Sequence, residues 1–442
     1  MASDRFFVKT LTLENFRCFE KVELGPFDPH FNLLVGENGV GKSSVLLALA
    51  GLFSPIATVG GALPEPILLG VEDGRTSLNS STVIALSRAW RLGAVWSHWG
   101  DDFRSERVFK PDPHVDIPSV FRRSADGGEE RVDQGLLAPE FLVRNDLLVF
   151  YSVRRQFPEN GSRRLRSGFF GQQALAYEDW SDAGLDGVAL REWFKNQTLR
   201  EHQLAQRAAG TEFPAPIAAW SHLALVQDAV KRSIEGATNV EYDSVTEDDI
   251  VLQMNDGTMQ PFRRLSDGQR ALVGLVADIG RRACLLNFER FGANTLNQTS
   301  GLVLIDELDL HLHPKWQRQI IGALKRIFPK IQFFATTHSP QVIGEARPKE
   351  IVLLTPQGQK RPPQSYGMDS NWVLECVMEA EGRDPSVAKE IALLYDEIED
   401  GKFEEARARI ANLRKEIGSF GDVEAAESYM WRVEREGDEA AE

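Results

Sequence analysis

The segment from Phe31 to Phe53, FNLLVGENGVGKSSVLLALAGLF, constrains the fold more than any other. An apolar run leads straight into Gly36, Asn38, Gly39 and Gly41, then into Lys42, Ser43 and Ser44, then into a second apolar run long enough for a helix. The glycines let the backbone fold tightly, so that its N–H groups converge on phosphate oxygens. Lys42 adds a point charge, Ser43 can ligate magnesium, and the following helix aims its positive end at the same place. GxxxxGK[ST] between a strand and a helix is a phosphate loop, and nucleotide binding follows from it.

A second stretch, GLVLIDELDLHLHP from Gly301 to Pro314, places acids where such a loop needs them. Leu302 to Ile305 read as a strand buried on both faces, and strands of that kind belong to parallel sheets covered by helices. Asp306 and Glu307 then stand at its carboxyl end, the edge where open α/β sheets hold ligands. Alone they could be a helix cap; beside a phosphate loop they read as a metal ligand and a water-activating base. FFATTHSP repeats the pattern, a buried strand delivering His338 to the same edge. In RRLSDGQRALVGLV, Ser266, Gly268 and Gln269 open a long helix, which makes a second anion site. One phosphate loop with two anion-binding helix starts is explained if the second completes the pocket of another copy. His311 and His313 have no evident third ligand, so the pair reads as hydrogen-bonding rather than metal-binding.

The remaining chain is less specific. No apolar run approaches the roughly 18 to 20 residues that span a bilayer, and MASDRFFVKT has no signal-peptide core, so a cytoplasmic protein is expected. Cys18, Cys284 and Cys376 have neither paired nor metal spacing and read as small core residues. Residues 54–139 carry strand-like alternation and read as a short antiparallel region broken by exposed loops. Arg154 to Arg166 form a Gly/Ser-containing arginine loop, either a solvated surface or a nucleic-acid contact. Residues 170–237 read as helical, with Trp193, Phe194, Leu199 and Leu204 as core or interface positions. A hairpin turning at Asn255, Asp256 and Gly257 follows. Of the net charge of −15, the segment from Asn371 onward carries 20 acids against 9 bases, a balance of −11. That segment reads as a helical hairpin, with Val387, Ile391, Leu394 and Ile398 facing Phe403, Ala406, Ile410 and Leu413, and with an acidic exterior suited to docking a partner.

GENGVGKS, LSDGQR, LVLIDE with LDLHLHP, and FFATTHSP together resemble the Walker A, signature, Walker B with D-loop, and switch-histidine motifs of ABC-type ATPases. The version resembles the RecF, SMC and overcoming-lysogenisation-defect group, as does the opening LTLENFRCFEKVEL. The resemblance implies an α/β fold: a mixed sheet flanked by helices, with an N-terminal antiparallel lobe. It implies an ATPase domain over residues 1–355 with an insertion at about 54–237, a linker at 356–369 and a C-terminal docking region at 370–442. Lys42, Ser43 and Asp306 would then hold ATP and Mg2+, Glu307 would be the general base, and His338 would sense the γ-phosphate. Ser266, Gly268 and Gln269 would close on the nucleotide of the other subunit of a homodimer, with Asp309 in the D-loop. Arg17 would be a nucleotide contact and Gln156 the Q-loop glutamine.

The C-terminal run YGMDSNWVLECVM followed by IEDGKFEEARARIANL resembles ATPases of Septu and retron-associated anti-phage systems, which are encoded with a separate HNH-type nuclease. Little of the sequence after His338 is left for a Toprim nuclease domain, no HNH-like histidine cluster is evident, and the insertion lacks the sustained heptads of SMC proteins. The expectation is therefore a defence ATPase controlling a partner nuclease. The alternative is a RecF-like repair ATPase that contacts DNA through its arginine loop.

Overall fold

The computed structural model describes residues 5–58, 76–77, 86–87, 90–98, 101–109, 119–123, 129–132, 146–153, 175–185, 187–209, 221–355, 357–380, 384–418 and 421–441. Gln156 and the Arg154–Arg166 loop lie outside the described residues. The chain divides into two compact units, Met1–Ser370 and Asn371–Glu442.

Two larger sheets build the first unit. β1 (Phe7–Phe16) and β2 (Phe19–Leu24) pair antiparallel. In β2 the buried Phe19, Val22 and Leu24 are separated by exposed Glu20, Lys21 and Glu23, the pattern of a half-covered strand. β3 (Phe31–Val35) is different, with all five residues buried, and it runs through the phosphate loop into α1 (Lys42–Thr58). After the short pair β4 (Thr76–Ser77) and β5 (Leu86–Ser87), four strands follow: β6 (Trp90–His98), β7 (Asp101–Phe109), β8 (Ser119–Arg123) and β9 (Glu129–Val132). They extend the N-terminal sheet in the order β2-β1-β6-β7-β8-β9, antiparallel throughout. The first half of the stretch expected as an insertion thus extends the N-terminal sheet. Local alternation marks a strand but not its partner, and β6 finds β1 across the chain, Leu11 facing Ala94 and Leu13 facing Leu92.

β10 (Leu147–Tyr151), also within that stretch, is an edge strand of the second sheet. It is followed by α2 (Gly187–Ala209), α3 (His222–Ser233), the meander β11 (Ala237–Asp243), β12 (Asp249–Met254) and β13 (Met259–Pro261), and the long α4 (Asp267–Phe291). Trp193 and Phe194 of α2 are buried, whereas Leu199 and Leu204 are 46% and 51% exposed, so only the first pair belongs to the core. The turn at Asn255–Gly257 is closed by Met254 N–H donating to Thr258 O at 2.9 Å. Then come α5 (Thr295–Gln298), β14 (Gly301–Ile305), α6 (Pro314–Ile327), β15 (Ile331–Thr336), α7 (Pro340–Ile343), β16 (Ile351–Thr355) and β17 (Gly358–Lys360).

The second sheet has the order β10-β14-β15-β3-β16-β17, parallel except for β17. Every residue of β10, β14 and β15 is buried, as expected for a sheet covered on both faces. β14, β15 and β3 lie side by side, so the carboxyl ends that carry Asp306, His338 and the phosphate loop open at one edge. Gln332 of β15 ties this sheet to the N-terminal one: its amide accepts from Val8 N at 2.7 Å and donates to Val8 O at 3.0 Å. The stretch read as a linker is fastened too, β17 by pairing with β16 and Ser365 by donating to Ala346 O at 2.7 Å.

α8 (Ser370–Cys376) spans the boundary between the units. The second unit holds α9 (Pro385–Glu399), α10 (Phe403–Ile417) and α11 (Gly421–Ala441). The two expected stripes do meet, but Val423, Ala426 and Met430 of α11 complete their core. α11 begins at Gly421, after a break at Gly418, which has φ 81°. The acidic surplus is partly spent inside the unit. Arg407 pairs with Glu434 at 2.7 Å, Arg409 with Glu397 at 2.6 Å and with Glu390, and Arg414 with Glu427.

Candidate nucleotide site

The phosphate loop leaves β3 at Gly36 and is held from behind by the β1–β2 turn. At Gly41, with φ 107°, a Cβ would lie 2.5 Å from Cys18 Sγ and 2.5 Å from the Phe19 ring. Only glycine fits there, and the contact brings the exposed Arg17, itself at φ 49°, to the loop's flank. Asn38, Gly39 and Ser43 are exposed on the loop, and Ser44 is buried beneath it. Lys42 is 8% exposed, and its ammonium donates to Gly36 O at 2.8 Å and Glu37 O at 2.9 Å. Burial holds that ammonium's pKa below its usual value against the opposing pull of Asp306 and Glu307.

Across the edge, β14 ends in Asp306 and Glu307. Ser43 Oγ donates to Asp306 Oδ1 at 3.1 Å, so the phosphate loop and the first acid are joined directly. Thr336, at the end of β15, donates to the same Oδ1 at 2.6 Å and accepts from Glu307 N at 2.7 Å. One hydroxyl therefore fixes both acids. Glu307 sits at φ 52°, a left-handed conformation costly for a residue with a Cβ and characteristic of functional sites. His338 follows on the same strand end and is exposed. Thr336 was visible in the sequence only as one of two threonines before His338; its role depends on strand order, which local patterning does not carry.

Two further contacts brace the segment after Glu307. Thr337 donates to Asp309, and Gln317 of α6 donates to Leu312 O at 2.9 Å while accepting from Ser339 Oγ at 2.8 Å. His313 caps α6, with Nδ1 accepting from Lys315 N at 3.3 Å. Among the described residues no group of three His, Cys, Asp or Glu side chains forms a metal cluster. His311 adopts φ 64°.

That bend brings the D-loop against the signature helix of the same chain. A Cβ at Gly268 would lie 2.7 Å from His311 O, 3.2 Å from His313 N and 3.2 Å from Leu312 Cα. Ser266 caps α4 in a capping box with Gln269, donating N–H to Gln269 Oε1 at 3.1 Å and accepting Gln269 N at 3.3 Å. Ser266 stays exposed at the helix start. Further along α4, Asp278 accepts from Tyr151 of β10 at 2.8 Å and from Arg282 at 2.7 Å, while Arg282 donates to Ala176 O at 2.7 Å. Burial alone would raise the Asp278 carboxyl, yet Arg282 and Arg281 hold it far below the usual carboxylate range. The signature helix is thereby anchored to the sheet that carries the acids.

The sheet edge thus gathers Lys42, Ser43, Asp306, Glu307 and Thr336 around the phosphate loop, and the D-loop links it to the signature turn. Replacing Thr336 by valine keeps the strand and removes both hydrogen bonds. We expect about a tenfold loss of apparent Mg2+ affinity, read from the metal dependence of turnover, since groups that orient ligands typically contribute roughly 10- to 100-fold. An unchanged metal dependence would remove Thr336 from this role.

Residues 31–344 match the family model described as "AAA domain, putative AbiEii toxin, Type IV TA system". The chain is 40% identical over 424 residues to the "Retron Ec83 probable ATPase" of Escherichia coli, covering 86% of this chain and 77% of that protein. It is 38% identical over 382 residues to the "Retron Vc95 probable ATPase" of Vibrio cholerae, covering 78% and 73%. To the "Septu protein PtuA" of Bacillus thuringiensis it is 34% identical over 153 residues, covering 32% and 37%. No helix among the described residues is long and apolar enough to cross a membrane. The chain belongs to this AAA-domain family, as an ABC-type ATPase of the retron and Septu defence-system group.

Proposed function

We propose that this ATPase is the nucleotide-driven subunit of a bacterial anti-phage complex, in which two copies close on ATP and control a separate HNH-type nuclease. The observation that carries the catalytic part is the Ser43–Asp306–Thr336–Glu307 hydrogen-bonded set at one sheet edge. Lys42 and the loop residues Gly36, Asn38, Gly39, Gly41 and Ser44 hold the phosphates, with Arg17 at their flank. Ser43 and Asp306 supply the hard oxygen donors that Mg2+ takes, and the bound ion would neutralise phosphate charge. Glu307 accepts the proton of the attacking water, and His338 contacts the γ-phosphate. Phosphoryl transfer needs this positioning and charge neutralisation more than covalent chemistry.

Ser266, Gly268 and Gln269 of one copy close the nucleotide site of the other, and Asp309 lies in the D-loop between them. The support is that Ser266 is exposed at a capped helix start whose backbone rests on that D-loop. The defence reading is supported by the retron and Septu names of the relatives, and a docked partner by the acidic second unit with Trp431 60% exposed on α11. Exposed aromatics of this kind anchor partner proteins.

The test is co-expression with the product of the neighbouring gene and measurement of phage plating. Co-purification is expected, together with loss of protection in Lys42→Ala. Absence of a complex, with plating indifferent to Lys42→Ala, would sink the proposal.

A further inference from the structure

A cavity lies against one face of α6. The cavity there has a volume of about 530 Å³, and none of its lining residues belongs to the nucleotide site. Arg318, Gly322 and Arg326 line it at successive i, i+4 positions, so one helix face presents two guanidiniums with bare backbone between them. Gly322 is exposed, and a Cβ there would meet nothing within 4 Å, so this glycine is not required for packing and leaves the helix surface open to a ligand. Arg347 adds a third exposed guanidinium, and Tyr366, 59% exposed, adds an aromatic face.

Arg318 donates to Gln341 Oε1 and Arg326 to Arg232 O at 3.2 Å, each through one nitrogen of its guanidinium, and the other charges of the lining are paired. Lys325 pairs with Glu350, Arg232 lies 3.5 Å from Asp228, and Glu235 lies 2.8 Å from Lys315. Glu345 is the remaining acid, and burial pushes its carboxyl up against the pull of Arg318. The balance is three arginines against one weakened acid, in a chain whose net charge is −15. Guanidinium forks match phosphate oxygens, an exposed ring offers a stacking platform, and the volume suits a nucleotide-sized group. Arg318 and Arg326 are separated by about 12 Å along the helix axis, judging from the rise per residue. That span exceeds the separation of adjacent backbone phosphates and suits phosphates two apart on one strand.

We propose that this cavity holds a nucleotide of a single-stranded nucleic acid, with the backbone phosphates on Arg318, Arg326 and Arg347 and a base on Tyr366. The proposal is independent of the catalytic reading, because it concerns a different face of the first unit. The measurement is fluorescence anisotropy of the full chain with a short labelled oligothymidylate across a salt series, alongside ATP hydrolysis. Wild type should bind and weaken as salt rises. The double variant Arg326→Glu, Arg347→Glu should bind at least about tenfold more weakly, with a shallower salt slope, and still hydrolyse ATP. Tyr366→Ala should lose about tenfold with the slope unchanged. The proposal is overturned by absence of oligothymidylate binding, by equal binding in the double variant, by binding of duplex only, or by binding of adenosine monophosphate where the oligonucleotide is not bound.

Discussion

Glu307→Gln is expected to retain ATP, lower hydrolysis by roughly 10²- to 10⁴-fold, and leave an ATP-bound dimer that persists during size-exclusion chromatography. Glutamine keeps the shape of the side chain and removes its ability to take a proton. The backbone should not change, because the left-handed conformation at φ 52° is held by the Glu307 N–H donating to Thr336 Oγ1 at 2.7 Å, and an amide side chain leaves that bond intact. Lys42, Ser43 and Asp306 are untouched, so binding and chemistry separate cleanly. Phosphate release and nucleotide retention measured on one preparation would check it. Turnover equal to wild type would remove Glu307 from the role of base and reduce its strained backbone to a feature of the turn.

The parts legible in the sequence are those whose chemistry is local. A phosphate loop is defined by glycine spacing with lysine and serine, and a doubly buried strand ending in acids declares its own place at a sheet edge. The parallel sheet was readable for that reason, whereas the antiparallel N-terminal lobe was expected from the family resemblance. What escaped depends on which strand pairs with which. That β6 to β9 extend the sheet of β1 was not readable, because nothing in their alternation names β1 as a partner. Thr336 gains its role from β15 lying between β14 and β3, which brings its hydroxyl to Asp306 and the Glu307 N–H together. The C-terminal segment reads as a two-helix hairpin because its two stripes match each other, whereas a third helix, α11, is needed to cover their core. The cavity beside α6 was invisible in sequence, since Arg318, Arg326, Arg347 and Tyr366 are scattered and only the fold gathers them.

Gly268→Ala tests the contact that sequence reasoning could not have placed, the seat of the signature helix on the D-loop of its own chain. The added Cβ would lie 2.7 Å from His311 O, a backbone atom that cannot swing aside as a side chain can. The D-loop is also braced: Gln317 donates to Leu312 O at 2.9 Å, Thr337 donates to Asp309, and His313 caps α6. The helix start must therefore yield, and it carries Ser266 and Gln269 with it. Misplacing a catalytic group by about 1 Å can cost on the order of 100-fold, so turnover at saturating ATP is expected to fall by about that factor. Nucleotide binding should be unchanged, because Lys42 and Ser43 hold the phosphates from another element. Alanine is the better helix former by about 1 kcal/mol, so helix propensity would not explain a loss. Asp267→Ala is the control: its exposed carboxylate pairs only with Arg270 of the same helix turn among the described contacts, and turnover should stay near wild type. Full activity in Gly268→Ala would mean that the segment 309–313 and the turn at Ser266 tolerate separation, and that turnover does not depend on their contact.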